Sequence, residues 1–219
     1  GPSEVSGKQL AVGGGGRYDL EFTMPSDPVR LATADHPDAG LILGSGDRAA
    51  QTGGDEFDPT SYGRPTSTPF TATGPFAHDD TYYIDNHFGF YNGEFAILFT
   101  MNGNVYPDIP PVTVRDGDLI KIKWVNRSFL DHPMHIHGHH VLVLSRNGKP
   151  VSGSPLWLDT VLVQVGETWE VALKADNPGL WMDHCHNLEH SATGMAMHLT
   201  YEGYGTPYEA APASGNDPE

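Results

Sequence analysis

The chain has 219 residues and a mass of 23.7 kDa, a length that suits one large domain or two small ones. Its 12 Lys and Arg oppose 28 Asp and Glu, which gives a formal net charge of −16 at pH 7. Such a surface repels phosphate backbones and anionic lipids, so we expect no nucleic acid and no membrane among its partners. The 26 Gly, 18 Pro, nine Tyr and nine Phe favour an all-β fold with many turns over a helical bundle.

The first 78 residues predict a long, loop-rich N-terminal extension. Residues 17–23 (RYDLEFT) alternate polar and apolar side chains, a pattern typical of a single strand. The glycine tract Gly13–Gly16 before them has the composition of a flexible joint. Residues 25–75 are rich in Pro, Gly, Asp, Ser and Thr, which indicates a surface segment without a core of its own.

Residues 79–203 predict a domain of short strands separated by turns. Leu119–Asn126 (LIKIKWVN) alternates apolar and polar side chains, as expected of a half-buried strand. Asn147-Gly148 is the strongest short signal for a hairpin turn. About eight such strands indicate a β-sandwich or a barrel. Residues 204–219 predict a disordered acidic tail. The strand candidates are 81–84, 96–101, 111–115, 119–126, 140–145, 160–165, 169–174, 180–183 and 195–201.

Most of the 12 histidines fall in two segments, 132–140 (HPMHIHGHH) and 184–195 (HCHNLEHSATGM). The second segment offers a thiolate, an imidazole and a thioether from one loop, at Cys185, His190 and Met195. A second imidazole is needed, and His132 can supply it from a neighbouring strand. Two His, one Cys and a weak axial Met form the trigonal set that holds blue copper. Zinc prefers more thiolates or a carboxylate, and iron–sulfur clusters need several cysteines, so a chain with one Cys matches copper best.

The residues beside Cys185 predict a second metal site. On an extended strand the neighbours His184 and His186 point to the opposite face, so they cannot share a metal with Cys185. His135 and His137 stand two residues apart and therefore also share a face. Cys185 would then lie covalently between two metal sites, as a path for electrons.

The two histidine segments resemble the C-terminal copper motifs HPxHxH and HCHxxxHxxxxM of the multicopper oxidases, the family of laccases and bilirubin oxidases. The segments VRDGDLIKIKWVNRS, SPLWLDTVLVQVGETWEV and ADNPGLWMDHCH are similar too, and the resemblance covers about residues 79–203. It implies a Greek-key β-sandwich of cupredoxin type for this domain and copper as the cofactor. The implied ligands are His132, Cys185, His190 and Met195 for a type 1 copper, His135 for a type 2 copper, and His137, His184 and His186 for a type 3 pair.

The resemblance also implies a laccase-like oxidoreductase. In that family the type 1 copper takes single electrons from a reducing substrate, and a trinuclear cluster uses them to reduce dioxygen to water. The catalytic residues here would be Cys185, His184 and His186, which connect the two sites. The implied substrates are dioxygen and a phenol, an aromatic amine or a low-valent metal ion. Export is common in the family, so we expect a secreted, periplasmic or cell-surface protein.

The sequence departs from the family pattern before His132. The matching positions supply four histidines of the trinuclear cluster, and the other four belong to upstream motifs, HxHG and HxH, neither of which occurs before His132. The upstream histidines His36, His78 and His87 are isolated. We therefore expect a partner cupredoxin domain to supply the missing four His, either in a longer oxidase or in a split enzyme. The alternative is a stand-alone blue-copper electron carrier without oxidase activity.

Other polar residues have structural interpretations. His139 and His140 are expected to pack or to orient their neighbours. Asp159 and Asp183 could orient histidines or accept a proton, although turn and surface roles are favoured. Asn126-Arg127-Ser128 matches a glycosylation sequon, which is a weak signal by itself.

Overall fold

The structure, a computed structural model, describes residues 3–48 and 53–207. Within them the chain forms two compact units. The smaller unit comprises residues 3–12, 17–48 and 53–58, and the larger comprises residues 13–16 and 59–207. The tail predicted at 204–219 falls mostly on residues 208–219, which lie outside the described residues. Among the described residues, no helix has the length and hydropathy of a membrane-spanning segment.

The smaller unit is organised by backbone pairing. Strands β1 (Lys8–Gln9) and β4 (Asp55–Glu56) pair in parallel, and β2 (Val29–Thr33) pairs antiparallel with β3 (His36–Leu43). Most residues of this hairpin are exposed. Its strands are held by main-chain hydrogen bonds and bury no regular face, so little apolar alternation marks them in the sequence.

The prediction of a strand at residues 17–23 is wrong. These residues form no strand in the structure, and every one of their side chains is exposed. Their alternation of polar and apolar residues therefore has no buried face to occupy. Tertiary surroundings decide whether such a short pattern becomes a strand, and none of the strands in the described residues pairs with this segment.

The strands of the larger unit are β5 (His78–Tyr91), β6 (Glu94–Met101), β7 (Val112–Val114), β8 (Leu119–Asn126), β9 (His132–Ile136), β10 (Val141–Arg146), β11 (Lys149–Pro150), β12 (Trp157–Leu158), β13 (Thr160–Val163), β14 (Thr168–Lys174), β15 (Leu180–Cys185) and β16 (Ala196–Tyr201). They form two sheets. One has the order β11-β10-β14-β8-β5-β6, with β12 also pairing β10, and the other has the order β13-β9-β15-β16-β7. A short helix, α1 (Leu188–Ala192), lies between β15 and β16.

Local sequence patterns explain several of these strands. In β8, Ile120, Ile122 and Trp124 are buried, while the residues between them are only half-buried. This alternation matches the pattern read from the sequence. Strands β10 and β11 meet at Asn147 and Gly148, which have φ angles of 53° and 73°, as the tight hairpin turn requires. Both local predictions are confirmed.

Side chains of both sheets join one apolar core. Trp124 and Trp169 come from the first sheet, and Met134 and Cys185 come from the second. The core therefore extends to the strands that carry the histidine segments. Two packed sheets with almost no helix confirm the predicted all-β sandwich.

The larger unit begins before the boundary predicted at residue 79. Residues 59–61 form a 3-10 turn, and the Thr60 carbonyl oxygen accepts the amides of Ser152 (2.9 Å) and Gly153 (3.0 Å). The amide of Ser154 donates to the Tyr62 carbonyl oxygen at 2.7 Å. These bonds hold the segment onto the β-domain, so the compact unit starts at residue 59.

Candidate metal centre

Three buried side chains converge in the larger unit: His132, Cys185 and His190. His132 begins β9, Cys185 ends β15, and His190 lies on α1. The Cys185 Sγ atom is 3.6 Å from His132 Nδ1 and 3.5 Å from His190 Nδ1. The two Nδ1 atoms are 3.1 Å apart. One sulfur and two imidazole nitrogens this close together form a group that a single metal ion can bridge.

The surrounding elements hold these three residues in place. Strands β9 and β15 pair so that Cys185 lies opposite Met134. Because alternate residues of a strand share a face, Cys185 and His132 point to the same side of the sheet. The Asn187 side chain caps α1 by accepting an amide of its first turn at 3.2 Å. The short helix then brings His190 back to the thiol.

Met195 closes the loop that begins at Cys185. Its amide donates to the His190 carbonyl oxygen at 3.0 Å, and its carbonyl oxygen accepts the Cys185 amide at 3.1 Å. Its side chain is fully buried. The backbone therefore keeps a thioether residue beside the His–Cys–His group. One thiolate, two imidazoles and a thioether suit copper better than zinc.

Burial sets the protonation of the metal-free group. Desolvation lowers the pKa of His132 to about 3, with a smaller contribution from nearby His190, and lowers the pKa of His190 to about 4. Desolvation raises the pKa of Cys185 to about 12. At neutral pH both imidazoles are therefore neutral and keep a free lone pair. The thiol holds its proton until a bound cation displaces it.

Four further histidines form a second cluster on the other face of β9 and β15. His135 lies directly opposite His184 in the strand pairing. The ring centres are 4.8 Å apart for His135 and His137, 5.1 Å for His137 and His184, and 5.6 Å for His184 and His186. The structure thus brings together all four histidines that flank the first group.

In two of these rings, those of His135 and His184, one nitrogen is used in a hydrogen bond to the backbone. His135 Nδ1 is 2.7 Å from the Asp159 carbonyl oxygen, and His184 Nδ1 is 2.9 Å from the Cys185 carbonyl oxygen. A carbonyl oxygen only accepts, so each Nδ1 donates and each Nε2 keeps its lone pair. Metal-binding histidines have this arrangement. His184 Nε2 lies 3.0 Å from His137 Nε2, so two candidate ligand atoms meet.

The two acidic candidates differ in their surroundings. Asp159 orients His135 through its main-chain carbonyl group. Asp183 is 2% exposed, and its Oδ1 atom has no hydrogen-bond partner, so that oxygen orients no histidine. Desolvation raises the pKa of Asp183 to about 7.

His139 belongs to a hydrogen-bond network that stabilises the turn after β9. Its Nδ1 donates to the His137 carbonyl oxygen at 2.9 Å, and its Nε2 accepts from the Tyr201 hydroxyl at 2.7 Å. The Tyr201 oxygen also accepts the Asn177 amide at 3.2 Å. Both ring nitrogens are used, so His139 supports His137 through the backbone and offers no atom to a metal.

Replacing Tyr201 with Phe is expected to lower the free energy of unfolding by about 1–3 kcal/mol, because His139 Nε2 stays buried without its donor. Urea unfolding of the metal-free protein measures this loss. The control is Tyr83→Phe, which changes an exposed tyrosine and is expected to alter stability by less than about 0.5 kcal/mol. Equal losses in the two variants would contradict the network.

Two contacts with the clustered histidines were not predicted by any motif in the sequence. Phe99 of β6 stacks on His190 with ring centres 3.8 Å apart. Gly15 packs against His186 so closely that a Cβ atom there would lie 2.9 Å from the ring, and its φ is +74°. The glycine tract predicted as a flexible joint therefore packs against the second histidine cluster. The glycine composition indicates only that the backbone can approach another group closely. The tertiary fold determines that this group is the His186 ring.

Comparisons with known proteins agree with this geometry. The profile of the multicopper oxidase family matches residues 70–203. The chain is 37% identical over 103 residues to the multicopper oxidase MmcO of Mycobacterium tuberculosis, covering 47% of this chain and 20% of that protein. It is 34% identical over 97 residues to Laccase-1 of Arabidopsis thaliana, covering 38% and 17%. The solved structure of the multicopper oxidase mgLAC matches with a TM-score of 0.50 and 29% identity, over 59% of this chain and 45% of that one.

The two-sheet fold and the His–Cys–His group define a copper protein of the cupredoxin class. The family match covers more than half of the chain, and the chain belongs to the multicopper oxidase family. Copper is the cofactor of that family, and the His–Cys–His group is consistent with a type 1 site. The matched part of the chain spans about a fifth of the length of these curated relatives.

Proposed function

We propose that this chain is the electron-accepting domain of a laccase-like multicopper oxidase. The type 1 copper ligands in this proposal are His132, Cys185, His190 and Met195. Copper bound there cycles between two oxidation states and so supplies one-electron transfer. Cys185 and its neighbours His184 and His186 would connect this site to a trinuclear cluster, and that cluster would supply the reduction of dioxygen to water.

The observation that carries this proposal is the covalent link between two donor groups. Cys185 belongs to the buried His–Cys–His group, and the adjacent His184 and His186 belong to the second cluster. Electrons can therefore pass from the thiolate to either imidazole through a few covalent bonds. A protein that only carried electrons would need the first group and not the second.

The second cluster supplies half of a trinuclear site. In this proposal His135 binds a type 2 copper, and His137, His184 and His186 bind a type 3 pair. The Nδ1 donations of His135 and His184 to carbonyl oxygens support these roles, since they leave Nε2 free for a metal. The proposal requires a partner cupredoxin domain that contributes the other four histidines.

A second candidate function rests on the His–Cys–His group alone, which lies entirely within this chain. A stand-alone blue-copper carrier needs only the His–Cys–His group. A split oxidase needs another chain to complete the cluster. In all three cases the same residues would hold the copper that accepts the electron. The three cases differ in whether this polypeptide, alone or with a partner, consumes dioxygen.

The proposal extends to the donor and the location of the protein. The reducing substrate would be a phenol, an aromatic amine or a low-valent metal ion, oxidised one electron at a time. The protein would be secreted, periplasmic or on the cell surface, as the family resemblance implies. Met195 would supply a weak thioether donor, and such a donor is expected to give bound copper a modest reduction potential.

Copper content with visible and electron paramagnetic resonance spectra tests the proposal. We expect one tightly bound copper per chain, an intense thiolate-to-copper band, and no dioxygen consumption by the chain alone. Dioxygen consumption that begins when a domain carrying HxHG and HxH is added would support the oxidase over the carrier. A copper-loaded protein without the thiolate band would overturn the type 1 assignment.

Two substitutions on one strand separate the two sites. His132→Ala is expected to abolish the thiolate-to-copper band, because it removes one of the strong type 1 ligands. His135→Ala serves as the matched control, since it removes an imidazole from the same strand but from the opposite face. It is expected to keep the band. Loss of the band in both variants would contradict the division into two sites.

A further inference from the structure

A chain of buried hydrogen bonds leads away from His132 on the side opposite Cys185. His132 Nε2 lies 2.6 Å from the Ser128 Oγ atom, and Ser128 Oγ lies 2.9 Å from Asn126 Oδ1. Asn126, Ser128 and His132 are 1%, 5% and 0% exposed. Water therefore does not compete for these groups, and the protein itself must satisfy each donor and acceptor.

The Asn126 side chain anchors this chain of bonds. Its amide nitrogen donates to the carbonyl oxygens of Leu130 (2.8 Å) and Val163 (2.9 Å). Its amide oxygen accepts both the backbone amide and the hydroxyl of Ser128, each at 2.9 Å. Val163 pairs with His132 in the second sheet, whereas Asn126 ends β8 in the first. Asn126 thus joins the two sheets at Val163, the residue paired with His132.

The acceptors around the Ser128 hydroxyl favour one position for the proton of the His132 ring. The Ser128 hydroxyl has one proton, and the Asn126 oxygen beside it can only accept. The Leu130 carbonyl oxygen, 3.1 Å from the hydroxyl oxygen, is a second acceptor, and the Leu130 amide donates to that hydroxyl oxygen at 3.2 Å. When the hydroxyl donates to either carbonyl oxygen, its own oxygen is left to accept from His132. The His132 proton then sits on Nε2, and Nδ1 presents its lone pair to Cys185 Sγ, 3.6 Å away.

We propose that Ser128 and Asn126 are positioning residues that hold His132 as its Nε2–H tautomer and aim its Nδ1 at the metal. The metal-binding part of this inference rests on the proposed function. Its first part concerns the metal-free protein and stands without copper. It also gives residues 126–128 a role, since the sequon asparagine is buried and already uses both hydrogens of its amide group.

The first test is the tautomer of His132 in the metal-free protein. Long-range proton–nitrogen correlation spectra of protein with 15N-labelled histidine distinguish a protonated Nε2 from a protonated Nδ1. We expect His132 of the unaltered protein to be Nε2–H. Ser128→Ala is expected to populate both tautomers, and Ser128→Thr, which keeps the hydroxyl, is expected to restore the single one. A protonated Nδ1 in the unaltered protein would overturn the inference.

The second test is the affinity for copper(I), measured by competition with a chromophoric chelator. Removing a partner of a ligating histidine commonly weakens metal binding about 10–100-fold, and we expect a loss of this size in Ser128→Ala. The matched control is Ser145→Ala, which removes another buried serine hydroxyl that donates to Glu170 at 2.6 Å. This control is expected to keep the affinity and the His132 spectrum.

The outcomes separate the two proposals. Failure of the unaltered protein to bind copper would reject the proposed function, while the tautomer of His132 could still be read. Equal copper affinities in Ser128→Ala and Ser145→Ala would reject the positioning role and leave the type 1 site standing. A lower copper affinity in Ser128→Ala, together with a normal affinity in Ser128→Thr, would support the positioning role. A loss of packing alone would not depend on whether the side chain carries a hydroxyl group.

Discussion

Replacing Cys185 with Ser is expected to abolish the intense visible absorption of the copper-loaded protein. The absorption arises from charge transfer between a thiolate and copper, and Cys185 is the only cysteine of the chain. A serine hydroxyl is a harder and far less acidic ligand, so it also binds copper(I) poorly. The measurement is the visible spectrum together with copper bound per chain after gel filtration.

The fold should survive this substitution. Ser and Cys are close in size, and the new hydroxyl would lie near His132 Nδ1 and His190 Nδ1, which are 3.6 and 3.5 Å from the sulfur. The metal-free variant is therefore expected to lose at most about 3 kcal/mol of stability, the cost of burying a hydroxyl. Far-ultraviolet circular dichroism and urea unfolding check this.

Met195→Leu is the control for the Cys185 variant. It removes the other sulfur of the proposed site but keeps an apolar side chain of similar volume. We expect the visible band to remain and the reduction potential to rise, because losing a weak donor favours copper(I). An unchanged band in Cys185→Ser would refute the thiolate assignment. An unchanged potential in Met195→Leu would remove Met195 from the ligand set.

Replacing Glu167 with Ala is expected to lower the free energy of unfolding by about 3–5 kcal/mol, because it leaves a largely buried cation without its partner. Glu167 Oε1 accepts Arg146 Nε at 2.7 Å, and its Oε2 accepts Trp169 Nε1 at 2.8 Å and the Gln164 amide at 3.1 Å. Only 11% of the Glu167 side chain and 16% of the Arg146 side chain are exposed. Urea unfolding of the metal-free protein measures the loss.

An exposed acidic residue provides the comparison for Glu167. Glu202 pairs with Arg115 at 2.9 Å, but 52% and 74% of these side chains are exposed. Glu202→Ala is therefore expected to leave the unfolding midpoint almost unchanged, since water and salt screen such pairs. A loss below about 1 kcal/mol in Glu167→Ala would mean that Arg146 finds solvent when its partner is removed.

Predictions from the sequence succeeded where neighbouring residues suffice. The alternation in Leu119–Asn126 matches strand β8, and Asn147-Gly148 forms the turn between β10 and β11. Cys185 and His190 are only five positions apart. The short helix α1 and the hydrogen-bonded turn after it are therefore enough to bring them together. In each case the determining contacts are separated by only a few positions along the chain.

Predictions failed where backbone pairing or packing between distant segments decides the outcome. The alternation at residues 17–23 found no partner strand, whereas β2 and β3 pair with little apolar alternation to mark them. The sequence also did not predict that Glu167 forms a buried ion pair with Arg146. Its hydrogen-bond partners come from the ends of β10 and β14 and from the loop between β13 and β14. A propensity pattern describes one strand, but a sheet needs two.

The candidate metal centre shows the same division. The donor types available to a metal follow from the sequence, since only one thiol is present and its histidine neighbours must alternate across a strand. Tertiary structure alone decided that His132 meets Cys185, 53 positions away, with its Nδ1 facing the sulfur. It also decided that Ser128 and Asn126 stand behind that ring. The orientation of a buried imidazole depends on which donors and acceptors surround it, and those come together only when the two sheets pack.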